Sequence, residues 1–133
     1  MGYRWYNARG VAPLFPFGHG LSYGGPYAYA GLEASSAAIT FTVTNMGATA
    51  GSEVAQLYLT FPEATGEPPK QLKGFAKLSL APGESRLVTF ELSGRSRSVW
   101  DAGSHVWAEV SGTFTAAVGA SVGDLRLFAD FEN

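Results

Sequence analysis

Ile39, Phe41 and Val43 alternate with Thr40, Thr42 and Thr44. This repeat constrains the chain more than any other feature. A side-chain period of two is that of a β-strand with one buried face, and β-branched residues fit a pleated surface better than a helix. Asn45-Met46-Gly47 then supplies turn chemistry. From about Ala37 onward such signals recur. Glu53 to Phe61 carries apolar residues on both faces, Val54 and Tyr58 on one and Ala55, Leu57 and Leu59 on the other. That pattern predicts a central strand covered on both sides. Gln71 to Leu80 is less regular, with Leu72, Phe75, Leu78 and Leu80 as candidate anchors, and Ala81-Pro82-Gly83-Glu84 reads as a tight turn. Arg86 to Leu92 alternates again, with Val88, Phe90 and Leu92 inward. Val106 to Val110, Phe114 to Val118 and Leu125 to Leu127 follow. About seven strands, divided by turns drawn from 17 glycines and 7 prolines, predict an all-β, immunoglobulin-like sandwich with no helix beyond a turn or two.

The leading residues obey a different rule. Residues 1–28 show no sustained periodicity, hold Pro13, Pro16 and Pro26, and are crowded with aromatics: Tyr3, Trp5, Tyr6, Phe15, Phe17, Tyr23 and Tyr27. A solvated tail is poor in such residues, and each ring has roughly 150–250 Å² to bury. The expectation is an irregular arm over 1–28 and a sandwich over 29–133, with the arm packed on the sandwich, on something outside this chain, or on both.

Little in the chain points to chemistry of its own. Gly20-Leu21-Ser22-Tyr23-Gly24 matches the G-x-S-x-G pattern of a serine nucleophile, with His19 and His105 as bases to test. That pattern needs a strand before the serine and a helix after it. Proline interrupts the one at Pro16 and Gly25-Pro26 the other, so a glycine-rich turn is expected instead. Glycoside hydrolysis needs two carboxyl groups flanking a cleft. Asp101, Asp124 and Asp130, with Glu53, Glu84 and Glu91, fall at turns or on outward strand positions and are read as solvated. Two histidines and no cysteine give no ligand spacing for a metal, and no glycine loop suits a phosphate; no cofactor is expected. A net charge of −2 argues against nucleic acid and anionic membrane. The nearest thing to a basic cluster, Lys70, Lys73 and Lys77, is read as a solvated strand face. No stretch is apolar enough to span a bilayer, and Gly2 to Tyr6 lacks the apolar core of a secretory leader. Trp100, Trp107 and Phe61 would suit a sugar-stacking surface, but tryptophans of sandwiches are commonly core or core-edge residues, and that is the expectation for Trp100 and Trp107.

Longer strings carry a resemblance. Gly2-Tyr3-Arg4-Trp5-Tyr6 and Pro13-Leu14-Phe15-Pro16-Phe17-Gly18-His19-Gly20-Leu21-Ser22-Tyr23 resemble the segment that enters the C-terminal fibronectin type III-like domain of family 3 glycoside hydrolases. Val43-Thr44-Asn45-Met46-Gly47, Gly51-Ser52-Glu53-Val54-Ala55-Gln56-Leu57-Tyr58-Leu59, Pro68-Pro69-Lys70-Gln71-Leu72-Lys73-Gly74-Phe75 and Leu80-Ala81-Pro82-Gly83-Glu84-Ser85 match its later landmarks in order. Trp100-Asp101, Gly112-Thr113-Phe114 and Val118-Gly119-Ala120-Ser121 fit its closing strands. Gly24 stands where that family often has threonine. The Leu14-to-Gly20 string is more like β-glucosidases than β-xylosidases.

The resemblance implies a retaining β-glucosidase as parent, secreted or periplasmic, whose nucleophile and acid/base lie in a barrel and an α/β domain absent from these residues. No catalytic residue carries over. The implied role is that of a non-catalytic accessory domain whose partners are those catalytic domains. Tyr3, Trp5, Tyr6, Phe15, Phe17, His19, Leu21 and Tyr23 are the candidate domain-interface residues, and self-association through the arm is possible when the domain stands alone. The alternative is an independent module that binds polysaccharide or an aromatic cell-wall polymer.

Overall fold

The computed structural model describes residues 2–133. After a short helix α1 (Tyr3–Arg9), nine strands follow: β1 (Tyr27–Ala34), β2 (Ala38–Asn45), β3 (Gly51–Thr60), β4 (Gln71–Leu80), β5 (Ser85–Glu91), β6 (Ser98–Asp101), β7 (Val106–Glu109), β8 (Thr113–Ser121) and β9 (Asp124–Glu132). They form a three-stranded sheet, β1-β2-β5, a four-stranded sheet, β4-β3-β8-β9, and a two-stranded ribbon, β6-β7. All the pairings are antiparallel.

The core lies between the two larger sheets. Ile39, Phe41 and Val43 project from β2 toward Ala55, Leu57 and Leu59 of β3 and Phe114, Ala116 and Val118 of β8. The threonines that alternate with them on β2 lie on the other face, as the period of two requires. Phe114 sits at the centre of an aromatic cluster. It stacks on Phe131 at 5.5 Å and meets Phe61 edge-on at 4.9 Å. Asn45 closes β2. Its buried side chain donates to the carbonyls of Thr49 and Leu80 and accepts from the Gly47 amide, so the turn into β3 needs no water.

The two strands beyond the seven expected have physical causes. β1 alternates inward Tyr27 and Tyr29 with outward alanines. Its register is broken by a bulge around Gly31, which has φ of 65°. β6 has four residues and pairs only with β7, too short to show a period. In β4 the core-facing residues are Leu78 and Leu80, while Phe75 lies opposite Gln56 on the outer face and is exposed; it does not anchor the core. The first residues of the arm form α1 rather than irregular chain. The helix has no buried residue, and Gly10 in the left-handed conformation terminates it.

Candidate functional site: the arm and the outer sheet face

β3 is central, and the expectation that both its faces are covered holds: Gln56 and Tyr58, which point away from the core, are as buried as Leu57 and Leu59. The arm supplies the cover. Tyr3 meets the Tyr58 ring edge-on at 6.0 Å and stacks on Phe17 at 4.5 Å. Four hydrogen bonds fix its path. The Leu72 amide donates to the Tyr3 hydroxyl at 2.7 Å, the Val54 amide to Ser22 Oγ at 3.0 Å, and the Val122 amide to the Phe17 carbonyl at 3.0 Å. The fourth comes from Gln56 Nε2, which donates to the Gly18 carbonyl at 3.2 Å and to the Ala120 carbonyl at 2.6 Å, while its Oε1 accepts from the Tyr58 hydroxyl. Gly18 has φ of 80°, and a Cβ there would collide with the Gln56 carboxamide. The glycine is what allows the backbone to reach that carboxamide.

The candidate interface residues therefore divide into two groups. Tyr3 and Phe17 hold the arm down. Phe15 and Tyr23 face solvent at 69% and 92% exposure, joined by Leu14 at 88%, and Trp5, Tyr6, His19 and Leu21 are exposed too. His19 stacks on Phe15 at 5.8 Å. Phe75, 70% exposed, extends this surface: with Phe17, Leu21, Val54 and Leu72 it lines an apolar groove of about 330 Å³. Phe75 and Leu72, both expected to anchor the core, line this outer groove instead.

Ser22 serves as a hydrogen-bond acceptor for β3, and the residues after it form loop and strand rather than helix. Asp101 binds the Gly103 amide and the Ser104 hydroxyl in a turn, and these contacts lower its pKa. Asp124 pairs with Arg126, which holds its carboxyl below the usual range. Glu53 corrects the expectation of solvated glutamates. It is 2% exposed, and its Oε1 accepts from the Tyr29 hydroxyl at 2.7 Å. It stands near the start of β3, where Tyr29 of β1 covers it and the loop from His19 to Gly24 lies alongside. Between that loop and the strands lies a cavity of about 650 Å³, on which the Tyr27 hydroxyl stands buried without a partner. No group of three histidine or acidic side chains is placed to hold a metal among the described residues, nor is any described helix long and apolar enough to cross a membrane.

Trp100 and Trp107 are likewise not core. They face each other across the β6–β7 ribbon at 5.5 Å and are 49% and 44% exposed, because the ribbon has no third strand or second layer to cover them. Phe61, by contrast, is a core residue. Lys73 also departs from expectation: it lies half-buried over the Phe61 ring at 4.8 Å, and burial, with Arg4 and Arg95 nearby, lowers its pKa.

A sandwich of three and four antiparallel strands, with an arm tied down across one outer face, defines a class of β-sandwich module. The fibronectin type III-like domain family matches residues 53–122, and the chain belongs to that family in the form carried by β-glucosidases. It is 41% identical over 97% of its length to probable β-glucosidase L of Emericella nidulans, of which it covers 21%. Among solved structures, β-D-glucoside glucohydrolase of Trichoderma reesei superposes with a TM-score of 0.90 at 36% identity, over 98% of this chain and 22% of the other. DesR, a β-glucosidase from Streptomyces venezuelae, gives 0.91 at 38%, over 99% and 18%. The chain thus spans about a fifth of the length of the relatives it matches.

Proposed function

We propose that this chain is a non-catalytic accessory domain of a β-glucosidase, and that its arm and outer sheet face form a hydrophobic clamp on the catalytic domains. One observation carries the reading. The arm packs Tyr3 and Phe17 on its own sandwich and holds Leu14, Phe15, Leu21 and Tyr23 outward, beside the exposed Phe75 of β4. Contiguous exposed apolar surface of this kind marks an interaction site, and aromatic residues are those that interfaces concentrate. The hydrogen bonds that pin Gly18 and Ser22 present the patch on a rigid backing. Binding then costs little ordering entropy. The remaining length of the relatives, which this chain does not cover, supplies the partner. The substrate, terminal β-D-glucosyl groups, belongs to that partner.

Grafting tests the reading. The chain is joined to a family 3 catalytic body stripped of its own C-terminal domain, alongside a variant with Phe15, Leu21 and Tyr23 changed to serine. The intact graft is expected to raise the melting temperature and activity of the body, and the serine variant to lose most of both. Equal behaviour of the two grafts would overturn the clamp. The purified 133-residue chain is expected to release no nitrophenol from an aryl β-glucoside.

A further inference from the structure

On the side of the sandwich where α1 meets β4 and the β6–β7 ribbon lies a notch of about 360 Å³. Three cations line it: Arg4 from α1, Lys73 from β4 and Arg95 from the 3-10 turn Gly94–Arg97. A single carboxylate, Glu67, opposes them, and one of its oxygens is already taken by Gln71 Nε2 at 2.8 Å. The ion pairs formed among the described residues use Arg86, Arg97 and Arg126, and none uses these three. A chain of net charge −2 thus gathers three unpaired cations around one opening. Bringing like charges together is unfavourable unless an anion joins them. Burial and the two neighbouring guanidinium groups together depress the Lys73 pKa.

The wall beside the cations is aromatic. Arg95 sits over Trp107, its guanidinium carbon 3.4 Å from the ring centroid. Stacking of this kind limits the rotation of the guanidinium, which lines the notch and leaves its N–H groups without a carboxylate partner among the described residues. With Trp107 occupied by Arg95, the indole left for a ligand is Trp100. The two rings meet at 57°, which makes a corner and not a flat platform. A corner suits one sugar ring at a turn in a chain and does not suit a crystalline polysaccharide sheet.

We infer that this notch binds an acidic glycan, with one uronate unit stacked by its C–H face on Trp100 and its carboxylate held by Arg95, Lys73 and Arg4. The apolar face of a pyranose supplies the surface an indole buries. The carboxylate supplies the charge that the notch lacks, and the volume falls within the range of small-ligand pockets. The site adjoins the arm's apolar groove, with which it shares Leu72, but uses none of Phe15, Leu21 or Tyr23.

Nuclear magnetic resonance titration of the 133-residue chain tests it, with tri-galacturonate as ligand, cellotriose as its neutral counterpart and acetate as the bare anion. Tri-galacturonate is expected to shift amides of residues 71–73 and 94–107 with a Kd of about 1 mM or tighter. Cellotriose should bind at least about tenfold more weakly, and acetate should not saturate. Arg95→Gln should weaken binding roughly tenfold, the loss expected for one charge-assisted contact, and Trp100→Ala roughly tenfold through the lost stacking surface. Both side chains are exposed, and an unchanged spectrum for the core residues shows that the variants fold. About 0.5 M salt should weaken the uronate and leave any cellotriose contact alone. Equal affinity for cellotriose, equal affinity for acetate, indifference to Arg95→Gln, or no shift in those segments at ~10 mM ligand would each overturn the inference.

Discussion

Replacing Tyr29 with phenylalanine removes one oxygen and leaves the ring where it is. The ring stacks on Phe41 at 5.8 Å and carries Arg126 at 4.8 Å on its face, contacts that a phenyl group keeps. No apolar burial is lost, so the cost isolates the hydrogen bond to Glu53. That bond is 2.7 Å long, and both partners are buried. A hydrogen bond to a charged group contributes about 1.5–3 kcal/mol, and a buried carboxylate stripped of its donor retains its desolvation penalty. We expect a loss of roughly 2 kcal/mol. Unfolding entropy near 2.1 cal/mol/K per residue gives roughly 280 cal/mol/K for the chain, so the melting temperature should fall by about 7 °C. Urea unfolding followed by circular dichroism measures the first value and calorimetry the second. In a Glu53→Gln background the same substitution should cost only about 1 kcal/mol, because the acceptor is then uncharged. A cost under about 0.5 kcal/mol in the wild-type background, or an equal cost in both, would refute the claim that a buried charge is held by this one hydroxyl.

Alkali should unfold the domain cooperatively. Burial raises the phenol pKa of Tyr29, with the Glu53 carboxylate adding to it, and burial raises that of Tyr58. Below about pH 10 both phenols are protonated folded or unfolded and stability is intact; above it only the unfolded chain ionises them, and stability falls by about 2.7 kcal/mol per pH unit for the pair. A urea midpoint unchanged between about pH 9 and 11 would contradict this. Gly119→Ala should cost several kcal/mol, since its Cβ would run into the Asp124 carbonyl and stand 2.7 Å from the Leu125 Cα, both backbone atoms that cannot swing aside; a midpoint within error of wild type would count against it. Asn45→Ala should cost about 3 kcal/mol, one unit for each of its three hydrogen bonds, read from the same melts. Sedimentation of the isolated chain should show concentration-dependent pairing that disappears when Phe15, Leu21 and Tyr23 become serine, since the exposed patch has no other partner in that sample.

How much could be read before folding depended on how far apart the deciding residues lie. β2 announced itself because Ile39, Phe41 and Val43 alternate within one short stretch, and β3 because its apolar residues occupy both parities. Glu53 could not be placed, since its burial depends on Tyr29, 24 residues away, and on a loop earlier still. The exposure of Trp100 and Trp107 depends on the ribbon being left with two strands, a matter of topology that no local pattern records. Phe75 and Leu72 were drawn into the set of anchors because Leu78 and Leu80 stand nearby; only the pairings with Gln56 and Tyr58, on either side of a register shift, show that both lie on the outer face. The arm displayed its need for a surface through its aromatics. The division between rings that grip and rings that wait depended on Tyr58 and Gln56.

The roof that α1 and the Phe17–Ser22 loop place over Tyr58 has a practical meaning for anyone who cuts or transplants this module. A fragment trimmed to start at the first strand would uncover a tyrosine and a glutamine that have no water-facing solution, and would leave Gln56 short of its glycine carbonyl. The leading segment is separate from the sheet in sequence only, and a graft that carries it along inherits a finished surface.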